Sequence, residues 1–147
     1  MAGTSVQQGT LNRVRGSIQF ASNAQLNVIN ANLGKAGIIL RPTTDVAQLI
    51  PTLTGGVPSP EPYQMVDVEI HLLKTQGLGN AWKAMVETNP IIGDMTIKSD
   101  APTQADYFIT NSVIIRATNP AFNGTDPEFV ITLQGVYNTS QNLFGTA

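Results

Sequence analysis

MVDVEIHLLKTQGLGNAWKAMVETNP, residues 65–90, holds the two strongest local patterns in the chain. From Met65 onward apolar and polar side chains alternate: Val66, Val68, Ile70 and Leu72 share one face, Asp67, Glu69 and His71 the other. A two-residue period is that of a strand with one buried face. Directly downstream, Leu78, Ala81, Trp82 and Met85 recur at i, i+3, i+4 and i+7, the spacing of an amphipathic helix. Thr75 can cap the start of this helix, and Asn89 with Pro90 ends it. Leu78, Trp82 and Met85 are expected to anchor it to a core, with burial of Trp82 contributing on the order of 3 kcal/mol.

On the N-terminal side, residues 11–20 alternate in the same way, and residues 25–29 are expected to continue that strand or pair with it across a Ser22-Asn23 turn. The pattern then weakens. Ile38-Ile39-Leu40 and residues 46–50 are short extended runs, separated by Pro42, Pro51 and Gly55-Gly56. Val57-Pro58-Ser59-Pro60-Glu61-Pro62 follows, where prolines fix φ and hold their predecessors extended. An extended loop or arm over about residues 34–63 is therefore expected, not a helix.

Toward the C-terminus, residues 92–98 and 106–117 are expected strands, split by Ser99-Asp100-Ala101-Pro102. A last strand over residues 128–137 places Phe129, Ile131, Leu133 and Tyr137 on one face, after turns at Asn119-Pro120 and Asn123-Gly124. One helix among about seven short strands implies a mainly β fold: two packed antiparallel sheets in a sandwich or partial barrel, with a single flanking α-helix. At 147 residues this is one domain, preceded by a short N-terminal arm, residues 1–11.

Composition adds a constraint on the surface. Only 12% of residues are charged, against roughly 25% in typical soluble domains, and Thr, Asn, Gln and Ser take their place. Burying a charge costs far more than burying an amide that finds a partner, so this balance suits a surface covered by other subunits. No apolar run approaches 18 residues, which excludes a membrane-spanning helix by length. The first nine residues lack the basic start and apolar stretch of a secretion signal, and an intracellular site of synthesis is expected. With no cysteine there is no disulfide, thiolate nucleophile or thiolate metal site. A net charge of −2 provides no basic field for nucleic acid, and Arg13, Arg15 and Lys35 are expected to be ordinary solvated charges.

The motifs that suggest chemistry fail on inspection. Gly77-Leu78-Gly79 starts like a dinucleotide fingerprint, but Trp82 occupies the position where a small residue must let helix and strand approach. Asp67, Glu69 and His71 share a strand face, yet catalytic pairs converge from different elements and hydrolytic zinc sites use at least two histidines, where this chain has one. Asn123-Gly124-Thr125 and Asn138-Thr139-Ser140 match a glycosylation sequon, but without a secretion signal they are turn residues. No catalytic residue, cofactor or metal ligand is assigned.

Ser59-Pro60-Glu61-Pro62-Tyr63-Gln64-Met65-Val66, the alternating strand, and His71-Leu72-Leu73-Lys74-Thr75-Gln76 together resemble the tail tube protein of contractile-tailed bacteriophages. The small size, the N-terminal arm, the single helix after this strand and the strand-rich C-terminal half match as well. The resemblance implies hexameric rings stacked into a hollow virion tail, made in the bacterial host cytoplasm, through which DNA is ejected. It implies as partners other copies of the chain, a tail sheath protein, baseplate and tail-terminator proteins, and a tape measure protein and genomic DNA held in the lumen without specific binding. No membrane partner is implied. Asp67 and Glu69 are expected on the lumen face, with a neighbouring subunit as the competing surface. The arm, with Lys35, Pro42, Pro51, Pro58 and Pro60, is expected between stacked rings. Two other readings stay open: the tube of a type VI or other contractile injection system, and a monomeric β-sandwich module binding sugar or peptide through Trp82, Tyr107 or Phe108.

Overall fold

Among the described residues the longest uninterrupted ladder joins β5 (Tyr63–Leu73) to β8 (Glu128–Asn138), antiparallel and in register from Tyr63 opposite Asn138 to Leu73 opposite Glu128. The computed structural model describes residues 8–9, 16–101, 103–118 and 122–139. Val66, Val68, Ile70 and Leu72 of β5 are all fully buried, as are Ile131 and Leu133 of β8. Each such side chain stabilises the fold by about 1.5–3 kcal/mol relative to exposure. The alternation in residues 65–73 thus builds the floor of the core.

Around this spine the other strands complete one six-stranded antiparallel sheet in the order β1-β6-β7-β8-β5-β2, with β1 at Gly16–Phe20, β2 at Leu33–Pro42, β6 at Ile91–Ser99 and β7 at Tyr107–Thr118. The β2–β5, β6–β7 and β7–β8 ladders all carry register shifts. Bulges bend and over-twist a strand, so three irregular ladders let the sheet curl. Its two edge strands meet: a Cβ on Gly16 of β1 would lie 3.2 Å from Ile38 Cδ1 of β2. Val28 bridges to β1 at Ile18 through two backbone hydrogen bonds, so the expected pairing of residues 25–29 with β1 is a single bridge after a short 3-10 turn. The expected mainly β fold with one flanking helix is present, and the layers that pack against each other belong to one curled sheet.

Helix α1 (Leu78–Thr88) closes over the core with its apolar stripe. Trp82 is fully buried and meets Phe20 edge-on, with ring centroids 5.4 Å apart. Leu78, Ala81 and Met85 are partly buried and pack against the same core. Thr75 does not cap the helix, because residues 74–77 form a turn between β5 and the helix; the N-cap position is Gly77, which has no side chain to cap with. At the other end Asn89 donates its backbone N–H to Met85 O, and its Oδ1 accepts from Ile91 N, turning the chain into β6.

Among the described residues, the remaining strands, β3 (Ala47–Pro51) and β4 (Gly56–Pro60), pair only with each other in a separate two-stranded sheet. The arm expected over residues 34–63 is therefore shorter than the sequence suggested. Lys35 and Pro42 belong to β2, a strand of the main sheet, while Pro51, Pro58 and Pro60 lie on the hairpin. The bulge between Leu33 and Ile38, where Gly37 takes a φ of +66°, breaks the two-residue period by which β2 would have been recognised. Arg13, Arg15 and nearly all of the N-terminal arm lie outside the described residues.

Candidate assembly surface

Pro51, Pro58 and Pro60 lie on one surface and Asp67 and Glu69 on another, while Lys35 and Pro42 lie on β2 and Leu78, Trp82 and Met85 pack in or against the core. The first is the β3–β4 hairpin. From Val46 to Pro60 the chain has no charged residue, and every residue of β3 is exposed. Val46, Leu49, Ile50 and Val57 are large apolar side chains in solvent, and Leu53 at the turn is 102% exposed. Glu61 donates its backbone N–H to Val46 O at 2.9 Å, so the hairpin leaves and rejoins the body at one point. At its tip Thr52 N donates to Gly55 O.

Prolines decide what this hairpin can do. Pro58 and Pro60 stand opposite Leu49 and Ala47. Residues two apart direct their backbone N–H groups to the same side, and a proline cannot sit where the ladder needs a donor. Both missing donors consequently fall on the outer edge of β4, which cannot extend a sheet by ordinary strand addition. The hairpin is blocked as an edge on that side and apolar on its faces. An isolated two-stranded hairpin is marginal in water, and clustered exposed apolar side chains are a feature of interaction surfaces.

The second surface is the outer face of β5. Asp67, Glu69 and His71 are partly buried there, on the side opposite the core. β2 places Arg41 opposite Asp67 and Ile39 opposite Glu69, and β8 places Gln134 and Thr132 opposite the same pair. Arg41 Nη1 donates to Glu69 Oε2, and Glu69 Oε1 lies 3.1 Å from His71 Nε2. On its other side, His71 Nδ1 is 3.7 Å from Glu128 Oε2; among the described residues neither of these two buried atoms has a hydrogen-bond partner. A chain of polar contacts thus crosses three strands, Arg41–Glu69–His71–Glu128. The sequence showed Asp67, Glu69 and His71 together but not Arg41 or Glu128. Arg41 was legible in principle, as one of few cations, once β2 is paired with β5. Glu128 sits against Gly34, where a Cβ would collide with its carboxylate, a contact that only the folded sheet creates.

Among the described residues, no group of three or more His, Asp or Glu side chains is arranged to hold a metal ion, and no helix is long and apolar enough to cross a membrane. Gly16, Ile38, Ile97, Lys98 and Tyr107 line a cleft of about 100 Å³ at the seam between the sheet edges. Small-molecule sites are typically larger, roughly 300–1,000 Å³. Comparison of the chain with protein-family models gives no match, and comparison with curated proteins gives none.

Proposed function

We propose that this chain is a tube-forming structural protein, the tail tube subunit of a contractile-tailed bacteriophage, in which rings of six copies stack into the conduit for DNA ejection. The observation that carries the reading is the β3–β4 hairpin: a projecting, charge-free, apolar element that its own domain leaves in solvent. In the assembled particle a neighbouring ring covers it. Ring closure uses the margins of the curled sheet, where β1 and β2 touch but, among the described residues, form no ladder with each other.

Asp67 and Glu69 face the lumen in this reading. Six subunits at −2 each bring about −12 to a ring, a sign that repels phosphate and leaves DNA free to move. The sheath surrounds the tube, baseplate and terminator proteins meet its ends, and the tape measure protein occupies the lumen before ejection. The low charge content fits subunits whose surfaces are largely shared with copies.

Electron microscopy and sedimentation of the purified protein test the proposal. Hollow tubes are expected at high concentration. A shortened variant, with residues 47–60 replaced by a two-residue turn between the adjoining ends, is expected to fold and sediment as separate subunits or single rings. Material that stays near 15.7 kDa in every buffer overturns the tube. Tubes from the shortened variant overturn the role of the hairpin.

A further inference from the structure

The loop between β7 and β8 contains the one Asn-Gly pair in the chain, Asn123-Gly124. Residues 122–127 are all exposed. Asn123 Oδ1 accepts three hydrogen bonds: from Thr125 N at 3.0 Å, from Thr125 Oγ1 at 3.1 Å and from Asp126 N at 2.9 Å. This is an Asx turn, and it folds the side-chain amide back over the backbone of the next residue. At Gly124 a Cβ would meet nothing within 4 Å, so nothing crowds the peptide nitrogen from that side.

We propose that Asn123 is a self-modifying site that converts, in the folded protein, to aspartate and isoaspartate. The deprotonated Gly124 nitrogen attacks Asn123 Cγ, and the bond from nitrogen to Cγ forms as Oδ1 takes up negative charge. The three donors already directed at Oδ1 stabilise that charge, as preorganised donors do in an oxyanion hole. The Cγ–Nδ2 bond then breaks and nitrogen leaves as ammonia, its proton supplied through solvent. Water opens the resulting cyclic imide at either carbonyl. The net change consumes one water and exchanges the amide for a carboxyl group, with no other reactant.

The two products differ in consequence. Aspartate keeps an oxygen for the same three donors, now as charge-assisted bonds, and adds a negative charge to a chain with a net of −2. Isoaspartate lengthens the backbone by one methylene just before the start of β8. There Asp126 Oδ1 accepts from Glu128 N, and Pro127 O accepts from Lys74 N, so the added length strains the anchor between this loop and the end of β5. Ageing thus makes the loop acidic and partly unfastens it.

The test incubates native protein at mildly alkaline pH and follows peptides by mass spectrometry, with isoaspartyl methyltransferase labelling to separate the products. Asn123 is expected to convert well before Asn111 or Asn138, and at least as fast in the native chain as in urea. Gly124→Ala, which has room in the structure, is expected to slow conversion roughly tenfold because its methyl hinders the attacking nitrogen. An amide retained in the native chain but lost in urea overturns the proposal, as does an unchanged rate in Gly124→Ala.

Discussion

β5 with β8 and β3 with β4 are both antiparallel strand pairs, yet they use their side chains in opposite ways. In the first pair, every second residue of β5 from Val66 to Leu72 is fully buried, and the charged residues of this strand are confined to the other face. In the second, Leu49 is 71% exposed, Leu53 is fully exposed, and no charge appears on either strand. The first pair stabilises the subunit. The second holds exposed apolar side chains that the subunit's own core does not cover, which the tube proposal assigns to another copy.

Four sets of substitutions separate the roles of these strand pairs. Trp82→Ala removes the largest buried side chain, and a loss of about 4 kcal/mol is expected in urea or guanidinium unfolding. An unchanged midpoint would mean that the helix contributes little to the body. Gly135→Ala comes next, at about 2–3 kcal/mol, because a Cβ there would collide with Ile109 Cγ2 and lie 2.9 Å from Ser112 Oγ and 3.3 Å from Thr110 O. The same unfolding measurement checks it, and a stable Gly135→Ala would show that the β7 bulge gives way.

Arg41→Ala is expected to cost at most about 1 kcal/mol, since the Arg41 side chain is 58% exposed in its pair with Glu69. A double-mutant cycle with Glu69→Gln measures the coupling, and added salt should reduce it. Smallest of all in the subunit, Leu49→Ser with Leu53→Ser should change its unfolding free energy by no more than about 0.5 kcal/mol. Under the proposed function their effect falls on assembly: tubes counted by electron microscopy should disappear. A large destabilisation from this pair would show that the hairpin is part of the body, and the contrast between the two strand pairs would fail.

Much of this fold was written locally. The period of two in residues 65–73 and of 3.6 in residues 78–85 each report a single buried face, and each became an element with that face in the core. The strands β6, β7 and β8 were legible from their apolar, β-branched and aromatic runs between turn residues, although the β6–β7 and β7–β8 ladders carry register shifts. β2 was not, because a bulge shifts its phase by taking residues out of the ladder. β4 was hidden by Pro58 and Pro60, which argue against a strand except at an edge without a pairing partner, the place it occupies. Of the candidate surface, the row Asp67, Glu69 and His71 could be read directly, while its partners Arg41 and Glu128 come from strands distant in sequence.

By itself the sequence determined which residues seek burial, where the chain turns, and that charge is scarce, since these depend on side-chain chemistry and on spacings within a few residues. Tertiary structure alone decided that six strands curl until β1 meets β2, that Glu128 closes on His71 across Gly34, and that the hairpin at residues 46–61 stands apart from the body. Those outcomes depend on register, bulges and close backbone approach between segments far apart in the chain, and no local pattern encodes them.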